Sequence, residues 1–527
     1  MPEHLRALVV ILAISTVAWA IVKVPFTTYV CAEEDFKRRR NLWFVITLAA
    51  FLSHNFWLFV LIAGFAVTLS ARSEHNRLAM FLGLALALPW MGRSIQGLGI
   101  VNELFTLTPT RLLALILLLP SWLSLRRQPG VEPFGSLLCD KLLVAAILLE
   151  VALTLPERTL TSVMRDSVLY KFTDVFLVYY VASRSLRTVQ SFRDVFGAFV
   201  AGAMAFCLVL VFEAGRNWLL YRSVDDALGA ALHSGGIYLR RAGLLRAEGT
   251  AGQSIIAGLT CAVAIGMYLY VGGLIRSVAW KGVCAGILVL GLIAALARAP
   301  WLGSGLMLVV FLLLGPSPLA NLGKLAAATV VVVLALVFAG AADEVIDFLP
   351  WVGTVDASTV AGREQLLTVA LQVIQQNLLF GRYDFGTLPA LEVLRDGSGI
   401  IDIVNTYLLI ALRGGITSLG LFVGLAVAAM GATAVALAKV RDRSDERHAI
   451  GRSLMATLVG VMFIIFTVSP IFNVYLFFYA LVGLAVGHAR LVARGEPAQG
   501  MQARGAARPG RQGPAPGWQT AGRRRGV

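Results

Sequence analysis

Long apolar runs alternate with short polar breaks along nearly the whole chain, beginning with "MPEHLRALVVILAISTVAWAIVKVPF". The runs are long enough to cross roughly 30 Å of hydrocarbon, and lipid offers no partner for open backbone groups, so they read as helices. The pattern predicts an all-α, polytopic membrane bundle of about 12 to 14 transmembrane helices. Residues 1–488 form this bundle, with two large outer loops at about 213–253 and 341–416, and 489–527 form a tail. Ala18-Trp19-Ala20 looks like a signal-peptide cleavage site, but the apolar run continues to Val22 and further spans follow, so the first helix is expected to stay. "DFKRRRNLWFVITLAAFLSHNFWLFVLIAGF" is one long helix or two short ones. Placing residues 37–40 on the cytoplasmic side makes it two, broken near Ser53-His54-Asn55.

Composition supports the same class: of 527 residues, 58% are hydrophobic and 14% charged, which leaves no room for a soluble domain of ordinary size between the runs. The net charge of +15 would point to nucleic acid in a soluble protein, but here its position matters more. Arg490, Arg494, Arg504, Arg508, Arg511 and Arg523, Arg524 and Arg525 face Glu496 alone among Gly, Pro, Ala and Gln. Such a tail is expected to be disordered, cytoplasmic and close to anionic lipid. Counting back from it, "KVRDRSDERHAIGR", "GGLIRSVAWKG", "SRSLRTVQSFRD" and "SLRRQPGVEPFG" all become cytoplasmic, each with the expected excess of Lys and Arg. Cys31, Cys139, Cys207, Cys261 and Cys284 are scattered without metal-ligand spacing, so no haem, zinc or other cofactor is expected.

The two long outer loops hold the chemistry. In "LRRAGLLRAEGTAGQS", Arg240, Arg241, Arg246 and Glu248 lie where the positive-inside rule does not explain them. The second loop carries Arg363, Arg382, Arg395 and Arg413 against nine acids. Arg298, in "AALARAPWLGSG", is either a snorkelling anchor beside Trp301 or a site residue. Arg363 opens "GREQLLTVALQVIQQNLLFGRYDFG", an amphipathic helix whose stripe Leu367, Leu371, Ile374 and Leu378 should pack on the bundle. Asp402 and Asn405 share a helical face at i, i+3, and a site role is preferred to simple capping. Lys171 and Asp174, also i, i+3 but inside a span, should neutralise each other. No Ser-His-Asp set, H-E-x-x-H or paired-glycosidase signature is evident, so hydrolysis is not indicated.

These pieces, in order over residues 239–421, resemble the O-antigen polymerase and ligase superfamily. "LRAEGTAGQSIIAG", "ARAPWLG", "NLLFGRYDFG" and "IVNTYLLIALRGGI" look like its R-A-x-G, S-R-G-x-W-L-G, N-P-L-x-G-x-G and H-N-x-Y-L elements. The resemblance implies a bacterial inner-membrane enzyme acting on undecaprenyl-diphosphate-linked oligosaccharide, with membrane lipid, a flippase and chain-length or export proteins as partners. Arg246, Arg298 and Arg363 match positions that hold the lipid diphosphate, and Asn405 matches the Asn of the H-N pair. Val404 stands where ligase-type members have His, which favours a Wzy-type polysaccharide polymerase over a ligase.

Independently of the family, transfer from a polyprenyl diphosphate leaves negative charge that preorganised arginines can hold bidentately without a metal. Arg240, Arg241, Arg382 and Arg413 join the matched arginines as binding candidates. Glu248, Asp384 and Asp402 are the candidate bases for the acceptor hydroxyl, with Glu248 ranked first because it adjoins Arg246. The rival readings are a ligase, a transporter or flippase of lipid-linked oligosaccharide, and a structural component of an export complex.

Overall fold

The computed structural model describes residues 1–97, 99, 102–229, 238–241, 243–338, 357–392, 401, 403–470 and 473–495. It opens with α1 (Glu3–Tyr29), α2 (Glu33–Leu52), α3 (Phe56–Ala71) and α4 (Arg77–Leu84), followed by the hairpin β1 (Arg93–Gln96) and β2 (Glu103–Leu107). Next come α5 (Pro109–Leu125), α6 (Leu138–Thr154), an irregular helical run α7 (160–185), α8 (Val189–Arg216) and the short α9 (Arg222–Leu228). A two-residue hairpin, β3 (Arg240–Arg241) and β4 (Leu244–Leu245), precedes α10 (Ser254–Leu274), α11 (Val278–Ala294), α12 (Arg298–Leu313) and α13 (Pro318–Phe338). The chain ends with α14 (Ala357–Gln376), α15 (Thr406–Lys439), α16 (Glu446–Ile464) and α17 (Val474–Ala493).

Among the described residues, six helical segments are long and apolar enough to cross a membrane: α1, α8, α10, α15, α17, and α16 with the turn that extends it to Thr467. The protein is a multi-pass, all-α membrane bundle. α8 lies at its centre, packed against α1, α4, α10 and α11, and most of its surface is buried. α10 packs in turn on α12 and α16, and Ser453 on α16 donates to the carbonyl of Gly266 on α10 at 2.7 Å. Interhelical hydrogen bonds and close contacts replace the hydrophobic drive that is missing between helices in lipid.

The proposed break near His54 is present: α2 stops at Leu52, His54 has φ 51°, and the Asn55 side chain caps α3 through the amides of Trp57 and Leu58. The arginine-rich connections gather at one end of the bundle. There Asn76 donates to the Ser191 carbonyl at 3.0 Å, Arg193 on α8 pairs with Glu446 on α16, and Arg443 donates to the Gly315 carbonyl at 3.1 Å. Arg184 and Asp140, both fully buried, pair at 2.6 Å, and Tyr179 donates to the same carboxylate at 2.7 Å. The opposite end holds the Trp218–Glu3 contact at 3.1 Å and the Thr250–Leu86 contact at 2.7 Å, so the connection before α10 lies away from the arginine loops.

Three expectations are corrected. Arg490 belongs to α17, not to a tail starting at 489, because its guanidinium binds Glu132 at 3.1 Å and the Ser183 carbonyl at 2.7 Å; residues 496–527 lie outside the described residues. Lys171 and Asp174 do not pair, since Lys171 meets Glu150 at 2.8 Å and Asp174 meets Arg111 at 2.8 Å. α7 contains π-helical turns at Met164–Leu169 and Phe172–Phe176, and this wider winding removes the i, i+3 alignment. On α14 the buried face is Leu366, Ala370, Val373 and Ile374; of the expected stripe Ile374 is buried, Leu367 and Leu371 are exposed, and Leu378, also exposed, lies beyond the helix. An apolar residue beside lipid need not turn inward, so hydrophobicity alone misplaced that face.

Single cysteines at Gly243 and Ser444 in a Cys-free protein should react with an impermeant thiol reagent from opposite sides of the membrane. Labelling of both from one side of intact cells or spheroplasts contradicts this arrangement of ends.

Candidate functional site

α15 is not continuous. Gly414 has φ −139° and Gly415 φ 64°, ψ −168°, so residues before and after them form two helices meeting at a break. The turn after α14 crosses the break. Arg382 N–H donates to the Leu412 carbonyl at 2.7 Å, and the N–H groups of Ile416 and Thr417 donate to the carbonyls of Leu378 and Leu379 at 2.9 and 3.2 Å. Backbone groups freed by the interruption are thereby satisfied by protein. The crossing also needs bare glycines: a Cβ on Gly381, itself at φ 61°, would lie 2.5 Å from Gly415 N and the Leu412 carbonyl oxygen.

Beside this break opens a cleft lined by Glu150, Lys171, Tyr383, Arg413, Tyr475 and Tyr479, with Ser418 and apolar neighbours. α6 supplies Glu150, α7 Lys171, α15 Arg413 and α17 the two tyrosines. Lys171 is held at 2.8 Å from Glu150, and its ammonium lies 5.2 Å from the centre of the Tyr475 ring. The Tyr383 ring has two guanidinium neighbours, Arg158 at 5.1 Å and Arg413 at 5.7 Å. Arg158 is anchored by Asp166 at 3.0 Å. Convergent cations, one carboxylate and aromatic faces in a cleft between helices suit an anionic, hydroxyl-rich ligand.

Of the residues singled out from sequence, Arg382, Asp384 and Arg413 come to this region. Arg382 and Asp384 form an ion pair at 2.6 Å, and the guanidinium holds the Asp384 carboxyl below its usual range, which makes it a weak base. Asn405 accepts from the amides of Tyr407 and Leu408 at 2.9 and 3.1 Å and so caps α15. Asn405 itself precedes the helix, where its side chain serves as the N-cap. Asp402 and the Arg363 side chain lie outside the described residues, although the Arg363 backbone is within α14.

Arg240, Arg241, Arg246, Glu248 and Arg298 assemble elsewhere, where the β3–β4 loop lies on the turn between α11 and α12. Arg241 donates to the Leu296 carbonyl at 2.5 Å, and Ala247 N–H to the Ala294 carbonyl at 3.2 Å. Arg240 is exposed, while Arg246 and Arg298, the first residue of α12, are half-buried. Beneath the loop, the buried Glu213 carboxylate accepts from the amides of Leu220, Glu248 and Gly249 at 3.0, 3.0 and 2.8 Å. Burial, reinforced by Glu213, pushes the Glu248 carboxyl up to about 8 against the opposing pull of Arg246 and Arg222. Glu248 is buried and is not among the residues that line the cavity at the α15 break.

Sequence reasoning missed Glu150, Tyr383, Tyr475 and Tyr479 as cavity residues and Arg158 beside Tyr383, and treated Lys171 as a neutralised pair. The available signal was ionisable residues on separate apolar segments, Glu150 and Lys171, whose partners only the packing could assign. Comparison of the chain with protein-family models and with curated proteins finds no match.

Gly415→Ala should destabilise the protein by at least about 2 kcal/mol, because its backbone region is essentially glycine-only, and should lower the thermal midpoint in detergent. Gly420→Ala, with open space at the new methyl, is the control and should leave the midpoint unchanged or raised. Glu248 gives a pH test. Its folded pKa of about 8 lies above the ordinary value near 4.3, so its favourable contribution is complete below pH ~4.5 and lost as pH rises through 8. Glu248→Gln should therefore flatten the fall in thermal midpoint between pH 6 and pH 9; an unchanged slope rejects this assignment.

Proposed function

We propose that the protein is a membrane glycosyltransferase that polymerises undecaprenyl-diphosphate-linked oligosaccharide repeat units for an exopolysaccharide or O-antigen-type surface polysaccharide. In this reading the protein resides in a bacterial inner membrane with about 12 to 14 spans, and the cavity opens toward the periplasm. The observation that carries it is the cavity at the α15 break, where Arg413, Lys171 and Glu150 meet tyrosine faces inside a membrane bundle. Arginine stabilises the departing diphosphate through a planar, permanently charged fork, and aromatic faces receive sugar rings.

A second feature supports polymerisation in particular. Joining two lipid-linked units brings together two diphosphates, one that leaves and one that stays on the product. The arginines likewise fall into two groups on different elements, Arg413 at the cavity with Arg158 on the other side of the shared Tyr383 contact, and Arg241, Arg246 and Arg298 at the β3–β4 loop. Arg363 stays in the binding set on the strength of the sequence resemblance. The reaction needs no metal or nucleotide in this scheme, since the lipid diphosphate is itself the activated leaving group.

The interrupted helix favours a second reading, a transporter of lipid-linked oligosaccharide, because discontinuous helices commonly build transporter sites. Analysis of lipid-linked intermediates in cells lacking the protein separates these readings. A polymerase leaves single repeat units on the outer leaflet, a ligase leaves lipid-linked polymer, and a flippase leaves single units on the inner leaflet. Arg413→Ala should reproduce the single-unit accumulation and reduce polymer formation about 10²- to 10³-fold at normal protein level, with Arg413→Lys recovering little. Wild-type polymer length and yield in Arg413→Ala would defeat the proposal.

A further inference from the structure

The geometry points to Glu150 as the base that activates the acceptor hydroxyl, held in reserve by Lys171 until the anionic substrate arrives. This inference rests on the glycosyl-transfer reading and names the residue that performs its proton transfer. Glu150 is the one carboxylate among the described residues lining the cavity. The alternatives near the two arginine groups are committed elsewhere: Asp384 is held by Arg382 and accepts from Thr387 at 3.3 Å, and Glu248 is buried beside Glu213 in the other group.

The Glu150–Lys171 pair is reachable but mostly withdrawn, with 35% and 22% of the respective side chains exposed. An ion pair in this setting is tightly coupled, and removing one partner leaves the other charge poorly compensated. A diphosphate entering beside Arg413 supplies a competing anion for the Lys171 ammonium, whose three donors can turn between acceptors. As Lys171 turns toward phosphate, the Glu150 carboxylate is freed to accept a proton. Ligand binding thus arms the base, and the empty cavity keeps it neutralised.

The acceptor hydroxyl gives its proton to a Glu150 carboxylate oxygen, and its oxygen forms the new bond to the anomeric carbon. The bond from that carbon to the diphosphate oxygen breaks, and the electron pair leaves with the diphosphate. Glu150 becomes neutral while the diphosphate gains one negative charge, so Lys171 exchanges one anionic partner for another and the cavity keeps its net charge. Arg413 holds the leaving group, and Tyr475 and Tyr479 flank Lys171.

The test uses the full chain in nanodiscs with an undecaprenyl-diphosphate-linked repeat unit as donor and acceptor, and reads the rate of chain extension. Glu150→Gln should lower turnover about 10²- to 10⁴-fold with little change in KM, the range for loss of a positioned acid or base. Glu150→Asp should recover part of it with a shifted pH profile. Because Glu150→Gln strands Lys171, the double variant Glu150→Gln/Lys171→Met, which leaves no unpaired charge, decides the matter if the single variant fails to fold. A base role predicts that the double variant is inactive while still retaining the lipid-linked probe. Extension by the double variant within about threefold of wild type, with an unchanged pH profile, would show the pair to be structural and overturn the inference while the glycosyl-transfer reading stands. If the wild-type protein binds the probe but never extends it, both fall together.

Discussion

The backbone crossing between the turn after α14 and the Gly414–Gly415 break is the constraint on which the site depends. A helix interrupted within apolar surroundings exposes N–H and C=O groups that lipid cannot satisfy. Here the residues from Leu378 to Arg382 supply the missing partners, bonding to Leu412, Ile416 and Thr417. The crossing therefore fixes three things together: the angle between the two parts of α15, the position of Tyr383 against Arg413, and the opening of the cavity toward α6, α7 and α17. The site is built on rigid backbone contact, which suits a binding pocket that must hold charged groups in a set geometry.

Charge is distributed by two different rules at the two ends of the bundle. At the arginine-loop end, cations are consumed by structure: Arg184 by Asp140, Arg193 by Glu446, and Arg490 by Glu132 and a backbone carbonyl. These contacts join elements distant in sequence, and the fully buried Arg184–Asp140 pair in particular resists separation, because breaking it leaves an uncompensated charge. At the cavity, Lys171 is paired and mostly withdrawn, and Arg413 rests against an aromatic ring instead of a carboxylate in the cavity lining. The second arrangement leaves cationic surface for a ligand. Net charge alone does not distinguish the two.

The buried Glu213 carboxylate shows how a conspicuous arginine segment obtains its shape. Three backbone amides converge on it, tying the end of α8 to Leu220 and to the Glu248–Gly249 turn. The β3–β4 loop is thereby pressed onto the α11–α12 turn, where Arg241 reaches Leu296. Glu248 lies inside that anchor and is raised by the same burial that orders the loop. Its nearness in sequence to Arg246 made it an attractive base, but it is buried in this anchor and does not line the cavity.

By itself the sequence determined the class: apolar runs at membrane length permit only helices, and glycine, proline and charge mark where they end. It also favoured the break at His54, from the charge of residues 37–40, and marked an amphipathic helix over the region of α14 from its periodicity. Only the tertiary structure decided which charges meet. Lys171 pairs across to Glu150 on α6 because π-helical turns rotate it away from Asp174, and Asn405 turns to the helix start because a short amide serves the open N–H groups there. The buried face of α14 was likewise undecidable from hydrophobicity, since an apolar surround accepts Leu367 and Leu371 as readily as a core accepts Leu366 and Ala370. Periodicity locates a helix from neighbours along the chain, whereas a cavity is made by side chains from α6, α7, α15 and α17 whose approach depends on the packing of every helix between them.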